Sequence, residues 1–258
     1  MNQRHHHGVR AACAAISTIT VLLCAPASAT SIDFSSLPPS AYESGETLTE
    51  NGYNMAFVEG AFGAFYGVVS STATIADADD PATCDIIACP AEADGNYLMV
   101  LNDGAVRFSR TTTIGGFRLA GLDLAFLAPV PIPDGNYAQL RLSGTVLNGS
   151  VFSTTLDFPG QNATNQFMFG NADIANDFRQ LILASLTIDA CIFDADANCI
   201  NSLDFPAANQ AQFAIDNLNF NEVPEPGSLL LAGLGFGALV LQRRRQRVQS
   251  SQCSVQGA

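Results

Sequence analysis

The sequence predicts an all-β domain, an antiparallel β-sandwich or jelly roll, between an N-terminal signal-peptide helix and a short C-terminal transmembrane helix. Three observations carry this reading. Across residues 32–220 the apolar residues show little helical periodicity. They fall into short runs rich in Val, Ile, Thr, Phe and Tyr, broken by Gly, Asn-Gly, Asp-Gly and Pro. Two of those runs alternate apolar and polar residues with period 2, and each end of the chain carries a charge-free apolar stretch beside arginines.

Residues 1–29 read as a secretory signal. Arg4 and Arg10 supply the positive n-region, residues 11–23 are apolar, and Ala27-Ser28-Ala29 is a small-x-small cleavage site before Thr30. His5, His6 and His7 lie in the n-region and leave with it. Cys24 follows Leu23, a residue too large for a lipidation site.

The body, residues 30–222, opens on Ile32-Asp33-Phe34. A Gly-rich run follows at 56–69, and then two runs, 97–101 and 105–108, flank Asn102-Asp103-Gly104, a hairpin signal. Residues 117–126 (FRLAGLDLAF) alternate with a phase slip near Gly121, as a bulge would produce. Residues 137–146 (YAQLRLSGTV) alternate cleanly and put Gln139 and Arg141 on the outer face. Further runs at 151–158, 167–169, 181–188 and 213–220 complete the set, and residues 173–177 make at most one helical turn. Many short strands with regular turn signals read as a sandwich or jelly roll.

Composition excludes whole classes of chemistry. All 24 acids lie between Asp33 and Glu225, against five arginines there (Arg107, Arg110, Arg118, Arg141 and Arg179), a net charge of −19 for that span. Such a surface repels phosphate, so nucleic acid is excluded as a partner. Beyond the signal the chain holds no His, no Lys and no Trp. That rules out Ser-His-Asp and Cys-His nucleophiles, His-ligated metals and Lys Schiff bases. Only carboxylate chemistry survives, and no acidic pair is singled out by spacing, so the expectation is not an enzyme.

Of seven cysteines, Cys13 and Cys24 leave with the signal, and Cys253 lies beyond the C-terminal arginines. Cys84, Cys89, Cys191 and Cys199 remain, an even number in an exported domain, which implies disulfides. Four cysteines allow three pairings, of which Cys84–Cys89 and Cys191–Cys199 each close a short loop. The acids suit calcium better than catalysis. Asp194-Ala-Asp196-Ala-Asn198 opens like an EF-hand loop, but Cys199 stands at the glycine position and Phe205 at the bidentate glutamate. Asp77, Asp79, Asp80 and Asp85 form a second acidic loop. For sugar stacking the candidates are Tyr42, Tyr53, Tyr66, Tyr97 and Tyr137, since Trp is absent. Asn148-Gly-Ser150 and Asn162-Ala-Thr164 fit the N-glycosylation pattern.

The C-terminal stretch has three physical parts. Val223-Pro224-Glu225-Pro226 stops the sheet, because proline withholds backbone donors. Residues 229–241 are uncharged, and their Ala/Gly steps allow close helix packing. Arg243, Arg244, Arg245 and Arg247 then form a positive-inside stop. Together these residues resemble the PEP-CTERM sorting signal, at 223–247 here, with 248–258 an additional disordered tail. The resemblance implies recognition by the membrane enzyme exosortase, transient residence in the inner membrane, and delivery to the cell surface or beyond in hosts that make extracellular polysaccharide.

A second resemblance covers most of residues 32–220. The Ile-Asp-Phe start, a Gly-Asn-Tyr-Leu strand, a Phe-x-Leu-x-x-Leu-Asp-Leu strand and a closing Phe-x-Ile-Asp-Asn-Leu-x-Phe are arranged as in many PEP-CTERM ectodomains. These are similar to galactose-binding-like jelly rolls and carbohydrate-binding modules. There the first and last strands are neighbours and an acid on each can hold a structural calcium, a pattern matched by Asp33 and Asp216. The expectation is an exported, non-enzymatic protein of the surface or biofilm matrix, partnered by exosortase and extracellular polysaccharide. The alternatives are a calcium-dependent carbohydrate-binding module and, behind it, a carboxylate-based polysaccharide enzyme.

Overall fold

Strands form where large apolar and small polar residues alternate, because period 2 sends one set to a core and the other to water. The computed structural model describes residues 29–58, 60, 67–70, 87–91, 95–112, 115–129, 138–164, 166–193, 196, 198–200, 211–223, 234–235 and 237–238. Its strands are β1 (Ala29–Ile32), β2 (Ser40–Tyr42), β3 (Thr47–Glu50), β4 (Tyr53–Val58), β5 (Gly67–Ser70), β6 (Ile87–Ala88), β7 (Tyr97–Val100) and β8 (Ala105–Arg110). They continue as β9 (Gly116–Phe126), β10 (Ala128–Pro129), β11 (Ala138–Val146), β12 (Val151–Asp157), β13 (Gly170–Asn171), β14 (Leu183–Phe193), β15 (Cys199–Ile200) and β16 (Phe213–Val223). A single helical turn, α1 (Asn176–Arg179), precedes β14.

The main sheet runs in the order β2-β5-β7-β16-β9-β14-β8-β4-β3, with every strand pair antiparallel. It folds on itself at β9–β14, where one opposed pair, Leu183 and Phe117, joins the two halves. One layer is therefore β2-β5-β7-β16-β9, and the other is β12-β11-β14-β8-β4-β3. Gly116 sits at this corner because a Cβ there would lie 2.5 Å from Ile182 Cγ2 and 2.9 Å from the Leu183 carbonyl. The expected antiparallel sandwich is present.

Between the layers the inward residues interdigitate: Met55 and Phe57 of β4, Phe108 of β8, Leu140 and Leu142 of β11, Ile188 of β14, and Phe213, Ile215, Leu218 and Phe220 of β16. Tyr53 stacks on Phe220 at 4.5 Å between centroids, and Phe117 meets both rings edge-on. Burying each such side chain is worth roughly 1.5–3 kcal/mol. The slip near Gly121 is real. Core positions pass from Leu119 to Leu122, and the β9–β16 register shifts on both sides of the Asn219–Gly121 pair.

The hairpin expected at Asn102-Asp103-Gly104 is not one. β7 pairs with β5 and β16, whereas β8 pairs with β4 and β14, so the turn carries the chain from one layer to the other. Asn102 and Asp103 do take the left-handed conformation (φ 55° and 57°) that hairpin turns favour. Their partners are instead residues of the segment entering β16: Asp103 Oδ1 accepts from Ala211 N at 2.7 Å, and Asn102 N donates to Gln212 Oε1 at 3.4 Å. Both edges of β7 are occupied, one by β5 and the other by β16, so none is left for a hairpin with β8. Residues 167–169 form only bridges.

The unit containing this sheet runs from Ala27 to Val223. In the C-terminal stretch the described positions Leu234, Gly235, Gly237 and Ala238 are helical. Among the described residues no helix is long and apolar enough to cross a membrane. Most of the expected transmembrane segment, and all of the signal before Ala29, lie outside the described residues.

Candidate functional site

β16 has two neighbours along one edge. Phe213 to Ile215 pair with β7, and Leu218 to Asn221 pair with β1. Asp216 and Asn217 fall in the gap between them, where Asn217 adopts φ 48° and the strand bulges against β9. Asp216 stands opposite Asp123 of β9. Asp33 directly follows Ile32, the residue opposite Leu218, so β1 delivers a third carboxylate toward the same gap. The fourth is Glu50. β3 alternates exposed and buried residues, and Glu50 takes an inward position two residues after Leu48.

Burial sets the electrostatics here. Asp216 is 6 % exposed and Glu50 5 %. Loss of water pushes the Asp216 carboxyl up to about 7; the Asn217 N–H at 2.7 Å opposes this, while Asp123, Asp33 and Glu50 add repulsion. Burial also raises Glu50, against hydrogen bonds from Ser36 Oγ (2.9 Å) and Phe34 N (3.2 Å). Asp123 accepts from Asn171 Nδ2 at 3.2 Å and Asn217 Nδ2 at 2.9 Å, and Asp33 Oδ1 accepts from Ser35 N and Oγ. The expected pair, Asp33 and Asp216, is brought together with two acids that the sequence reading passed over. An acid two residues from Leu48 in a strand pattern was the available signal for Glu50.

The donor chemistry, hard carboxylate oxygens repelling one another, suits a hard cation. The spacing is looser. Among the described residues no three of His, Cys, Asp and Glu converge closely enough to hold one metal ion. In the EF-like loop, Asp196 and Asn198 are exposed and Asp194 lies outside the described residues, as do Asp77, Asp79, Asp80 and Asp85.

A second feature lies on the outer face of β11, β12 and β14. An open groove of about 690 Å³ is lined by Arg141, Ser143, Ser153, Thr154, Thr155 and Asp189. Registry builds it: Arg141 is opposite Thr155 on one side and Asp189 on the other, and Ser143 opposite Ser153 and Thr187. Arg141 Nε donates to Asp189 Oδ1 at 2.6 Å, and the Ser143 and Ser153 hydroxyls lie 3.0 Å apart. Arg141 was legible as an outward residue, but its partners across the strands were not.

Among the described residues the candidate tyrosines do not form a stacking platform. Tyr53 and Tyr97 are fully buried in the core, which corrects their candidacy, and Tyr42 is half-buried and stacks on Phe57 at 5.0 Å. Tyr66 and Tyr137 lie outside the described residues. Both glycosylation-like triplets serve as turns: Asn148 Oδ1 accepts from Ser150 N, and Asn162 Oδ1 from Thr164 N and Oγ1. Cys89 and Cys191 are disulfide-bonded sulfurs. Cys84 and the Cys199 side chain lie outside the described residues, while the Cys199 backbone pairs with Phe193.

The fold and its ending define an antiparallel β-sandwich whose last strand runs straight into a sorting tail. Residues 222–246 carry the PEP-CTERM protein-sorting motif, the mark of an exported chain with a membrane-anchored C-terminus before surface display. No curated protein matches the chain. Solved structures similar to it include a family 29 carbohydrate-binding module, CBM29-2 (14 % identity, TM-score 0.34, 76 % of this chain and 93 % of that one). The CBM22-1 xylan-binding domain of Paenibacillus barcinonensis Xyn10C (9 %, 0.33, 79 % and 99 %) and a cyclase from Fischerella sp. TAU (11 %, 0.36, 77 % and 100 %) are similar too. At such scores these matches carry no argument about ligand or activity.

Proposed function

We propose that this is a non-enzymatic, exported protein of the cell surface or biofilm matrix, sorted by exosortase and associated with extracellular polysaccharide. The observation that carries the proposal is the PEP-CTERM motif beginning at residue 222, while strand β16 ends at Val223. Residues 1–29 would direct export, and the inner membrane would hold the chain transiently through the segment before Arg243, Arg244, Arg245 and Arg247. In the exported domain the four mature-body cysteines would close the local loops Cys84–Cys89 and Cys191–Cys199.

The polysaccharide contact proposed is the groove at Arg141 and Asp189. An ion pair beside a row of hydroxyls offers donors and acceptors that match a sugar's alcohols. The net charge of −19 between Asp33 and Glu225 favours a neutral glycan over a polyanionic one. The test is retention of the full-length protein on the host's own exopolysaccharide, compared with Arg141→Ala. Saturable retention that falls roughly tenfold in the variant, about 1.4 kcal/mol, supports the reading. Retention that is absent, or equal in the two proteins, removes polysaccharide from it.

One observation favours the calcium-dependent form of this reading: three further carboxylates, those of Asp123, Asp33 and Glu50, bear on Asp216. Calcium at Asp33 and Asp216 would neutralise that repulsion where β1, β9 and β16 meet, making sheet closure, and the groove layer packed on it, dependent on the ion. Asp194, Asp196 and Asn198 are the secondary candidates.

A further inference from the structure

Large apolar side chains exposed on the sandwich are few, and most gather at one place. Among the described residues of the folded unit they are Val58, Leu147, Val151 and Phe152, at 42, 58, 62 and 47 % exposure. The last three belong to the β11–β12 hairpin. Its tip is held by Gly149 N donating to Val146 O and by Val146 N donating to Ser150 O. Nothing local explains leaving two large residues of β12 half exposed. The hairpin would form with polar residues there, since its register is already set by the ladder from Gln139 opposite Asp157 to Thr145 opposite Val151.

The end of the sheet on which this tip lies is the informative fact. Val146 is opposite Leu183, Leu183 is opposite Phe117, and Gly116 is opposite Val223, the last strand residue. A Cβ on Gly116 would come within 3.6 Å of Leu147 Cδ2. The tip is thus three strand spacings, about 15 Å, from the point where the chain leaves the sheet. From there only Pro224-Glu225-Pro226-Gly227-Ser228 precede the uncharged run 229–241. Five residues reach at most about 18 Å. While the C-terminus is anchored, Val223 therefore stays within about 18 Å of the start of that run, and the tip within roughly 33 Å of it, which is close enough to touch the bilayer.

We propose that the hairpin tip is a membrane-contacting element: in the anchored protein Leu147, Val151 and Phe152 rest in the interfacial layer of the bilayer that holds the C-terminus. Three side chains give weak affinity for lipid on their own. The tether makes the contact intramolecular, which supplies the effective concentration that a free domain lacks. Once the tail is cleaved the contact dissolves and the domain is released, so the tip orients the domain during sorting and does not retain it afterwards. The inference rests on the sorting motif and is independent of any polysaccharide contact.

The absence of Trp from the chain provides a clean probe. Full-length Phe152→Trp is reconstituted into phosphatidylcholine vesicles with brominated acyl chains, beside Val58→Trp, which marks the opposite end of β4 from Tyr53. We expect emission from the Phe152→Trp protein to be quenched roughly twofold or more, and the Val58→Trp protein to stay near its level in unbrominated vesicles. Equal quenching in the two proteins, or none at position 152, would overturn the proposal. So would a blue-shifted emission in detergent that disappears on dilution, because it would assign the tip to contact with a second copy. Should Phe152→Trp not fold, Val151→Trp reports on the same tip from a more exposed position.

Discussion

Asp216 of β16 and Asp123 of β9 face each other across one rung of the sheet, and Asn217, the next residue, donates its side-chain amide to Asp123 Oδ2 at 2.9 Å. Two like charges at one rung oppose sheet formation. They persist here where β1 joins the last strand, and Asp33 and Glu50 add to the same field. Strand pairing has concentrated negative charge at the position that closes the sandwich.

That concentration makes stability depend on pH. In the unfolded chain Asp216 gives up its proton near its ordinary value of 3.8, whereas in the fold it holds it to about 7. Between those values the folded state binds the additional proton, so without metal ions stability falls as pH rises from about 4 to about 7 and levels off above. Asp216→Asn removes the charge and keeps an oxygen for the Asn217 N–H. It is expected to flatten most of that fall and to raise stability at pH 8 by on the order of 2 kcal/mol. Urea unfolding of both proteins across this range checks it; parallel curves would assign the slope to other groups.

Calcium should act in the opposite sense. If the ion binds the folded state at Asp33 and Asp216, its addition at pH 8 raises the melting temperature, by about 2.7 kcal/mol of stability at a hundredfold excess over Kd. Asp33→Asn and Asp216→Asn are each expected to abolish that gain, even though Asp216→Asn is the more stable protein in chelator. Differential scanning calorimetry with and without the ion reads both effects. An unchanged wild-type midpoint at millimolar calcium takes the ion out of the account.

Tyr53 offers a test of the core. Its ring is fully buried against Phe220 and Phe117, and its hydroxyl has no hydrogen-bond partner among the described residues. Burial and the nearby Glu222 raise its pKa, with Arg110 opposing. Tyr53→Phe is expected to match or exceed the wild type in stability by up to about 1 kcal/mol, while Tyr53→Ala should cost about 3–5 kcal/mol. A clear loss in Tyr53→Phe would mean that the hydroxyl has a partner in solution.

The sorting tail makes the fourth prediction. Replacing Pro224, Glu225 and Pro226 by alanine should leave the protein unprocessed in the inner membrane, detected as a full-length band in the membrane fraction. Normal release of the variant would separate the motif from processing.

Much of this protein is determined by sequence alone, because the relevant signals are local. Alternation in residues 138–146 sets strand β11 and its outward Arg141, the Leu119-to-Leu122 slip foretells the shifted register at Gly121, and the sorting motif needs no fold to be recognised. Apart from the pairing of the first and last strands, which the resemblance implied and β1 and β16 make, which strands lie beside which was decided only in three dimensions. Asn102-Asp103-Gly104 has hairpin chemistry and nonetheless joins two layers, because β5 and β16 occupy both edges of β7. Glu50 and Asp123 join Asp33 and Asp216, and Arg141 meets Asp189, through registers between strands up to about 190 residues apart, and no local pattern encodes those pairings. Tyr53 and Tyr97 read from sequence as candidate sugar platforms; core packing, which rewards burial of whole aromatic rings, took them instead.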